Sequence, residues 1–133
     1  MRVRTENGVY AYPDVVVGCG PSHMEDNRQD TLLNPAVIVE VLSPSTSAYD
    51  RGEKFANYRT ISSLREYVLV SQDTCRIEHY IRQPDHSWTL TEVINVTDTL
   101  TLPTIHCELP LSIVYNNTRV KQSEHARWNG GTS

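Results

Sequence analysis

A chain of 133 residues with 38% hydrophobic and 21% charged side chains has the size and composition of one soluble globular domain, with a real core and little material to spare. A formal net charge of −4 excludes a surface that is basic throughout, so any contact with nucleic acid has to be a local basic patch. No apolar run approaches the ~18 residues of a membrane span and no signal-peptide h-region follows Met1; Cys19, Cys75 and Cys107 are far apart and in no Cys-x-x-Cys pair. The expectation is a cytoplasmic protein with no disulfide framework and no zinc site.

Taken in order, Arg2-Val3-Arg4 alternates as a short strand, Asn7-Gly8 is a two-residue turn signal, and Val9 to Val17 reads as a second strand that could close a hairpin. Pro13 cannot donate to a central ladder, so it marks a strand start or bulge with Asp14 just inside. Gly18 to Asn34 is rich in Gly, Asp, Asn and Ser and reads as a long surface loop. The run Ala36 to Leu42 that follows is apolar except for Glu40, and Pro35 and Ser43-Pro44 bound it, which predicts a strand buried on both faces. Its alternation places Ile38, Glu40 and Leu42 on one face and Val37, Val39 and Val41 on the other.

A helix is expected from about Ala48 to Thr60, with Ser47 as N-cap, Asp50 in the first turn and Gly52 packed closely against a neighbour. Glu66 to Ser71 is a second strongly apolar strand, and Arg76 to Arg82 alternates as a half-exposed antiparallel one. Trp88 to Ile94 and Thr99 to Leu102 complete the strands, and Leu109 to Tyr115 makes a helical turn or two. The polar residues from Lys121 to Ser133 read as a disordered tail, leaving residues 1–120 as one domain. The order of elements predicts a mixed α/β fold whose sheet is mixed or antiparallel.

Glu40 poses the chemical question. An ionised carboxylate inside an apolar strand costs several kcal/mol unless it is compensated, so either Glu40 is protonated or a cation lies beside it. If the strand that starts after Asp14 neighbours the strand of Glu40, the two carboxylates can meet on one face, and a hard divalent ion would relieve their repulsion. Lys54, one turn into the following helix, is the candidate to assist an attacking water. Each residue also has a plainer reading: Asp14 as a turn residue, and Lys54 as the i,i+4 partner of Asp50. Arg51, Arg59 and Arg65 form a local basic cluster that a solvated face explains as well as DNA does, and the five histidines are scattered without metal-ligand spacing.

A family resemblance goes further than the spacing. The pieces Tyr12-Pro13-Asp14-Val15-Val16-Val17, Val37-Ile38-Val39-Glu40-Val41-Leu42-Ser43-Pro44-Ser45-Thr46, Tyr49-Asp50-Arg51-Gly52-Glu53-Lys54, Tyr58-Arg59 and Leu64-Arg65-Glu66-Tyr67-Val68-Leu69-Val70 together resemble the Uma-type restriction endonuclease family of the PD-(D/E)XK nuclease superfamily. The resemblance covers roughly residues 9 to 115. It implies a restriction-endonuclease-like mixed sheet flanked by helix, and a Mg²⁺- or Mn²⁺-dependent endonuclease acting on DNA. It also implies Asp14 and Glu40 as metal ligands, the carbonyl of Val41 as a third, and Lys54 as the catalytic lysine. The lysine position of the E-x-K motif is taken here by Leu42, so the lysine would come from the helix.

Relative to the family pattern the chain starts partway into a strand, without the acidic helical segment that precedes it. That supports a second expectation: an inactive remnant that serves as a binding or dimerising module, with a homodimer as its assembly. A nucleotide or sugar-phosphate binder has no Gly-rich phosphate loop to rest on.

Overall fold

The run around Glu40 forms the longest strand of the structure, a computed structural model that describes residues 1–18, 20–25, 31–115 and 121–122. In chain order the first strands are β1 (Arg2–Arg4), β2 (Tyr10–Ala11), β3 (Val15–Gly18), β4 (Thr31–Leu32) and β5 (Pro35–Leu42). Helices α1 (Ser47–Arg51) and α2 (Glu53–Tyr58) follow, then β6 (Glu66–Ser71), β7 (Thr74–Cys75), β8 (Ile77–Arg82) and β9 (Trp88–Val93). The chain closes with β10 (Thr99–Leu102), a 3₁₀ turn at Pro103–Ile105, β11 (Cys107–Pro110), α3 (Leu111–Val114) and β12 (Lys121–Gln122).

The main sheet has five strands in the order β3-β5-β6-β8-β9. Strands β5 and β6 are parallel and joined through the helices; every other pair in this sheet is antiparallel. The fold is therefore mixed α/β, as the order of elements implied. Both faces are covered. On one, α2 lays Phe55 and Tyr58 among Ile38, Leu42, Tyr67 and Leu69, with Val3 and Leu32 completing the cluster. The Phe55 ring stacks on Tyr67 at 4.9 Å and meets Trp88 edge-on at 5.2 Å, so aromatic contacts tie the helix to three strands. On the other face Val68 and Ile77 pack with Leu100, Leu102 and Leu111 of the β10–β11 hairpin and α3. Double coverage is why β5 and β6 read as continuous apolar runs.

Several expectations change. The strand predicted over Val9 to Val17 is two strands in two sheets: β2 pairs with β1 across the Thr5–Gly8 turn, while β3 joins the main sheet beside β5. Pro13 and Asp14 occupy the step between them, since a residue without an N–H cannot continue a ladder. The predicted loop from Gly18 to Asn34 contains the buried β4, parallel to β1; two residues are too few to show a period. The helix expected over Ala48 to Thr60 breaks at Gly52, whose φ of −101° and ψ of −92° are not helical. Thr46, not Ser47, precedes its first turn, and no side chain caps it. A Cβ at Gly52 would lie 3.2 Å from the Ala48 carbonyl oxygen, so the glycine serves the break between the helices rather than contact with a neighbouring element.

Strand β8 is not half-exposed along its length, because β9 and the β10–β11 layer bury its first half, Ile77 to His79. Part of the helix expected at Leu109 to Tyr115 is instead β11, and α3 covers only Leu111–Val114. The tail expected to be disordered begins with β12, which pairs with β7. Cys19 and residues 123–133 lie outside the described residues. No helix among the described residues is long and apolar enough to cross a membrane.

Candidate functional site

The site begins where β3 meets β5. The antiparallel register pairs Val15 with Val39, so the residue before β3, Asp14, stands opposite Glu40. Opposed residues of an antiparallel pair share a face. The two acids are also cross-linked through the backbone: the Asp14 N–H donates to Glu40 Oε1 at 3.1 Å, and the Val41 N–H donates to Asp14 Oδ2 at 2.7 Å. Pro13 gives this arrangement its reason. Continued by one more residue, the ladder would set Pro13 opposite Val41, and proline has no N–H to offer. The Asp14 carboxylate takes up the Val41 N–H in place of a ladder bond. The Val41 carbonyl leaves on the same edge, where Pro13 provides no donor.

Glu40 points to the helix-covered face and is only 2% exposed. Its Oε2 accepts from the Tyr58 hydroxyl at 3.0 Å and lies 2.5 Å from Lys54 Nζ. Lys54 and Tyr58 are four residues apart on α2 and so project on one side of it. The same ammonium is 3.6 Å from Oδ1 of the buried Asp50 on α1. Lys54 thus lies between two buried carboxylates, and Glu40 between a lysine, a tyrosine and a backbone N–H.

Burial pushes the Glu40 carboxyl above the ordinary carboxylate range, against the pull of Lys54, the Asp14 N–H and Tyr58. Burial works to lower Lys54, but its hydrogen bond to Glu40 and the charges of Glu40 and Asp50 outweigh this and hold the ammonium above its ordinary value. The Tyr58 phenol is driven far upward by burial and by Glu40, so its hydroxyl stays a donor.

Asp14, Glu40 and Lys54, named from the sequence, therefore converge. Arg51 does not join them: its guanidinium forks onto Glu78 of β8 at 2.6 to 3.1 Å. His79 is on the opposite face, bonded to Glu66 at 2.6 Å. Sequence reasoning misses two members. Tyr58 stands there only within the quoted family motifs, and Asp50 only as a first-turn residue and the i,i+4 partner of Lys54. The i,i+4 spacing of 50, 54 and 58 carries the signal, although the break at Gly52 puts Asp50 on α1 and Lys54 and Tyr58 on α2.

No group of three or more His, Cys, Asp or Glu is gathered to hold a metal among the described residues. What is present is a pair of carboxylates with a carbonyl edge beside them. That donor set does not make a closed zinc cage. It does fit a hard ion such as Mg²⁺, which binds through one or two carboxylates and keeps several waters.

Over 89 residues the chain is 44% identical to "Uncharacterized protein sll1609" of Synechocystis sp., matching 67% of this chain and 50% of that protein. Over 113 residues it is 37% identical to "Uncharacterized protein slr1290" of the same organism, matching 85% of this chain and 57% of that one. The chain thus spans about half the length of these curated relatives. Its fold matches the crystal structure of a protein from Anabaena variabilis titled "a putative nuclease belonging to DUF820", with a TM-score of 0.63 and 14% identity, over 86% of this chain and 64% of that one. Residues 1–113 match the family Uma2, described as "Putative restriction endonuclease", and the chain belongs to that family.

Proposed function

We propose that the cluster of Asp14, Glu40 and Lys54 is the centre of a divalent-metal-dependent endonuclease that hydrolyses phosphodiester bonds in DNA. The observation that carries this reading is the ammonium of Lys54, 2.5 Å from Glu40 across from Asp14. A lysine from α2 occupies the neighbourhood that Leu42 cannot serve. Family membership supports the same reading.

In it the Asp14 and Glu40 carboxylates and the Val41 carbonyl would hold Mg²⁺ or Mn²⁺. The bound ion supplies charge neutralisation at the phosphate and a water of lowered pKa. Tyr58 fixes Glu40 Oε2, so that the carboxylate cannot rotate away. Lys54 carries a positive charge that can orient an attacking water or face the developing negative charge on phosphate. Asp50 retains the ammonium whenever Glu40 is otherwise engaged.

The test is nicking of supercoiled plasmid. Wild type is expected to nick with Mg²⁺ or Mn²⁺ and to stop with EDTA, while Glu40→Gln, Asp14→Asn and Lys54→Met lose at least ~10²-fold of the rate. Metal-independent nicking, or full activity in Glu40→Gln, overturns the reading. An inactive binding or dimerising module is the other reading; Val15 and Val41, both about half exposed beside the edge strand β3, favour it. A folded, metal-binding dimer that never nicks DNA would select it.

A further inference from the structure

The basic side chains of the described residues divide into two groups. Arg2 and Arg4 are 4.0 and 3.4 Å from Glu25, Arg51 is 2.6 Å from Glu78, Arg76 is 2.6 Å from Glu92, and Lys54 is held by Glu40. Arg59, Arg65 and Arg82 have no carboxylate at ion-pair distance among the described residues. They also converge. Nη1 of Arg65 and Nη1 of Arg82 both donate to the Ser62 carbonyl at 3.2 Å, and Nη2 of Arg82 donates to the Arg59 carbonyl at 2.8 Å.

Arg59 lies over the Phe55 ring at 5.0 Å and Arg82 over Trp88 at 4.7 Å, which holds both guanidiniums in place. One acid approaches: Glu6 accepts the Ser62 N–H at 2.5 Å. Even so, the guanidiniums of Arg65 and Arg82 meet at one carbonyl, with Arg59 at the start of the same turn, in a chain whose net charge is −4. Two guanidiniums on a single neutral carbonyl repel, and an anion between them would turn that repulsion into attraction. Burial and, after it, the charge of Arg65 hold the Arg82 guanidinium below its ordinary value, against the pull of Glu6.

The place of the cluster matters as much as its charge. The Arg65 N–H donates to the Ala36 carbonyl at 2.8 Å, which sets the cluster at the Pro35 end of β5. Glu40 is four residues further along, ~13 Å at the rise of an extended strand. Arg59 follows Tyr58 directly and packs on the same aromatic layer that covers Glu40's face of the sheet. The cluster thus lies toward the Pro35 end of the same strand that carries Glu40.

We propose that Arg59, Arg65 and Arg82 form a second anion site, which takes a backbone phosphate of DNA while another phosphate lies at Asp14 and Glu40. Arginine suits the task because its planar fork matches a phosphate's oxygens. The choice of DNA as ligand rests on the endonuclease reading, so binding and cleavage are measured apart.

The binding experiment titrates a labelled duplex with wild type and variants in EDTA, by fluorescence anisotropy, over a range of salt concentrations. Arg59→Gln/Arg65→Gln changes two exposed side chains, and its melting temperature reports that the fold is kept. Its affinity should fall, with a log K against log salt slope shallower by ~1 for each phosphate it no longer neutralises. Arg76→Gln, which removes a charge already matched by Glu92, should leave the slope as in wild type. A double variant with wild-type affinity and slope overturns the proposal, as does an equal flattening of the slope in Arg76→Gln, or a wild type that does not bind duplex. A wild type that binds with the expected slope but never nicks with Mg²⁺ overturns the endonuclease reading and leaves the phosphate site standing.

Discussion

Lys54 Nζ sits 2.5 Å from Glu40 Oε2, so the cation that neutralises the carboxylate within the central strand comes from the chain itself. Glu40 is 2% exposed and the Lys54 side chain 18%. Removing one partner of such a pair leaves the other charge buried, at a cost of ~3–5 kcal/mol. Lys54→Met should therefore lower the free energy of unfolding by about 3 kcal/mol, and the double change Glu40→Gln/Lys54→Met should recover most of it. Urea denaturation measures this, and a loss below ~1 kcal/mol in Lys54→Met would mean the pair behaves as a solvated one.

Metal and lysine compete for the same carboxylate. With Lys54 removed, Glu40 and Asp14 face each other unshielded, and Mg²⁺ should raise the melting temperature more in Lys54→Met than in wild type. Ligand at a hundred times its Kd adds ~2.7 kcal/mol to a folded state that binds it. Glu40→Gln should show no shift with Mg²⁺. Identical shifts in all three proteins would place any bound metal away from Glu40.

Asp14 has two duties that mutation can separate. Asp14→Asn keeps an oxygen to accept the Val41 N–H, which bonds at 2.7 Å, but it loses the negative charge. Asp14→Ala loses both. Hydrogen exchange at the Val41 amide should stay near the wild-type rate in the first and quicken in the second, while both variants lose the Mg²⁺ shift. Equal exchange rates in the two would show that the carboxylate does not cap this amide.

Tyr58→Phe deletes the hydroxyl that donates to Glu40 at 3.0 Å and keeps the ring against Tyr67 at 5.5 Å. Leaving part of a buried carboxylate's hydrogen bonding unmade costs ~1–3 kcal/mol. The expected loss in urea unfolding is at the lower end, because Lys54 and the Asp14 N–H remain, and plasmid nicking should fall as well. Unchanged stability and nicking would make Tyr58 a packing residue alone.

Two buried glutamates should give opposite pH dependences. Burial acts to raise Glu66, but hydrogen bonds from His79 and Thr104 outweigh it and hold the carboxyl below 4.5. The unfolded chain then binds more protons than the folded one below that value, so Glu66's contribution is present above pH ~4.5 and is lost as pH falls through the folded value. Glu40 is raised above 4.5 by burial. There the folded state holds the extra proton, so its contribution is present below that pH and declines as pH rises through the folded value. Melting curves of Glu66→Gln and Glu40→Gln against wild type between about pH 3 and 7 should show the wild-type margin shrinking on acidification in the first pair and growing in the second. Parallel curves would remove both assignments.

Much of this is legible in the residues themselves. An apolar run with one acid identifies β5 and its chemical problem, because side-chain alternation in a strand is a local rule that needs no partner. The Glu66–Ser71 strand keeps its expected bounds for the same reason. Short elements escape: β4, of two residues, is too brief to show a period, and the end of β11 reads as the start of a helical turn; both strands exist because β1 and β10 offer them partners. The break at Gly52 escapes too, since a glycine within helical spacing does not announce whether the helix runs through it.

What the amino-acid sequence determined by itself was the set of chemical groups: Asp14 after a proline, Glu40 in an apolar strand, Lys54 four residues after Asp50. Whether they meet was a matter of register and handed packing, which are decided over tens of residues. Val15 paired with Val39 sets Asp14 opposite Glu40, where a shift of one residue would send one of them to the other face. The helices then had to lie on that same face for Lys54 to arrive at Oε2. Tertiary structure also redistributed the arginines, giving Arg51 to Glu78 and bringing Arg82 to Arg59 and Arg65, because charge partners are chosen by proximity in the fold rather than along the chain.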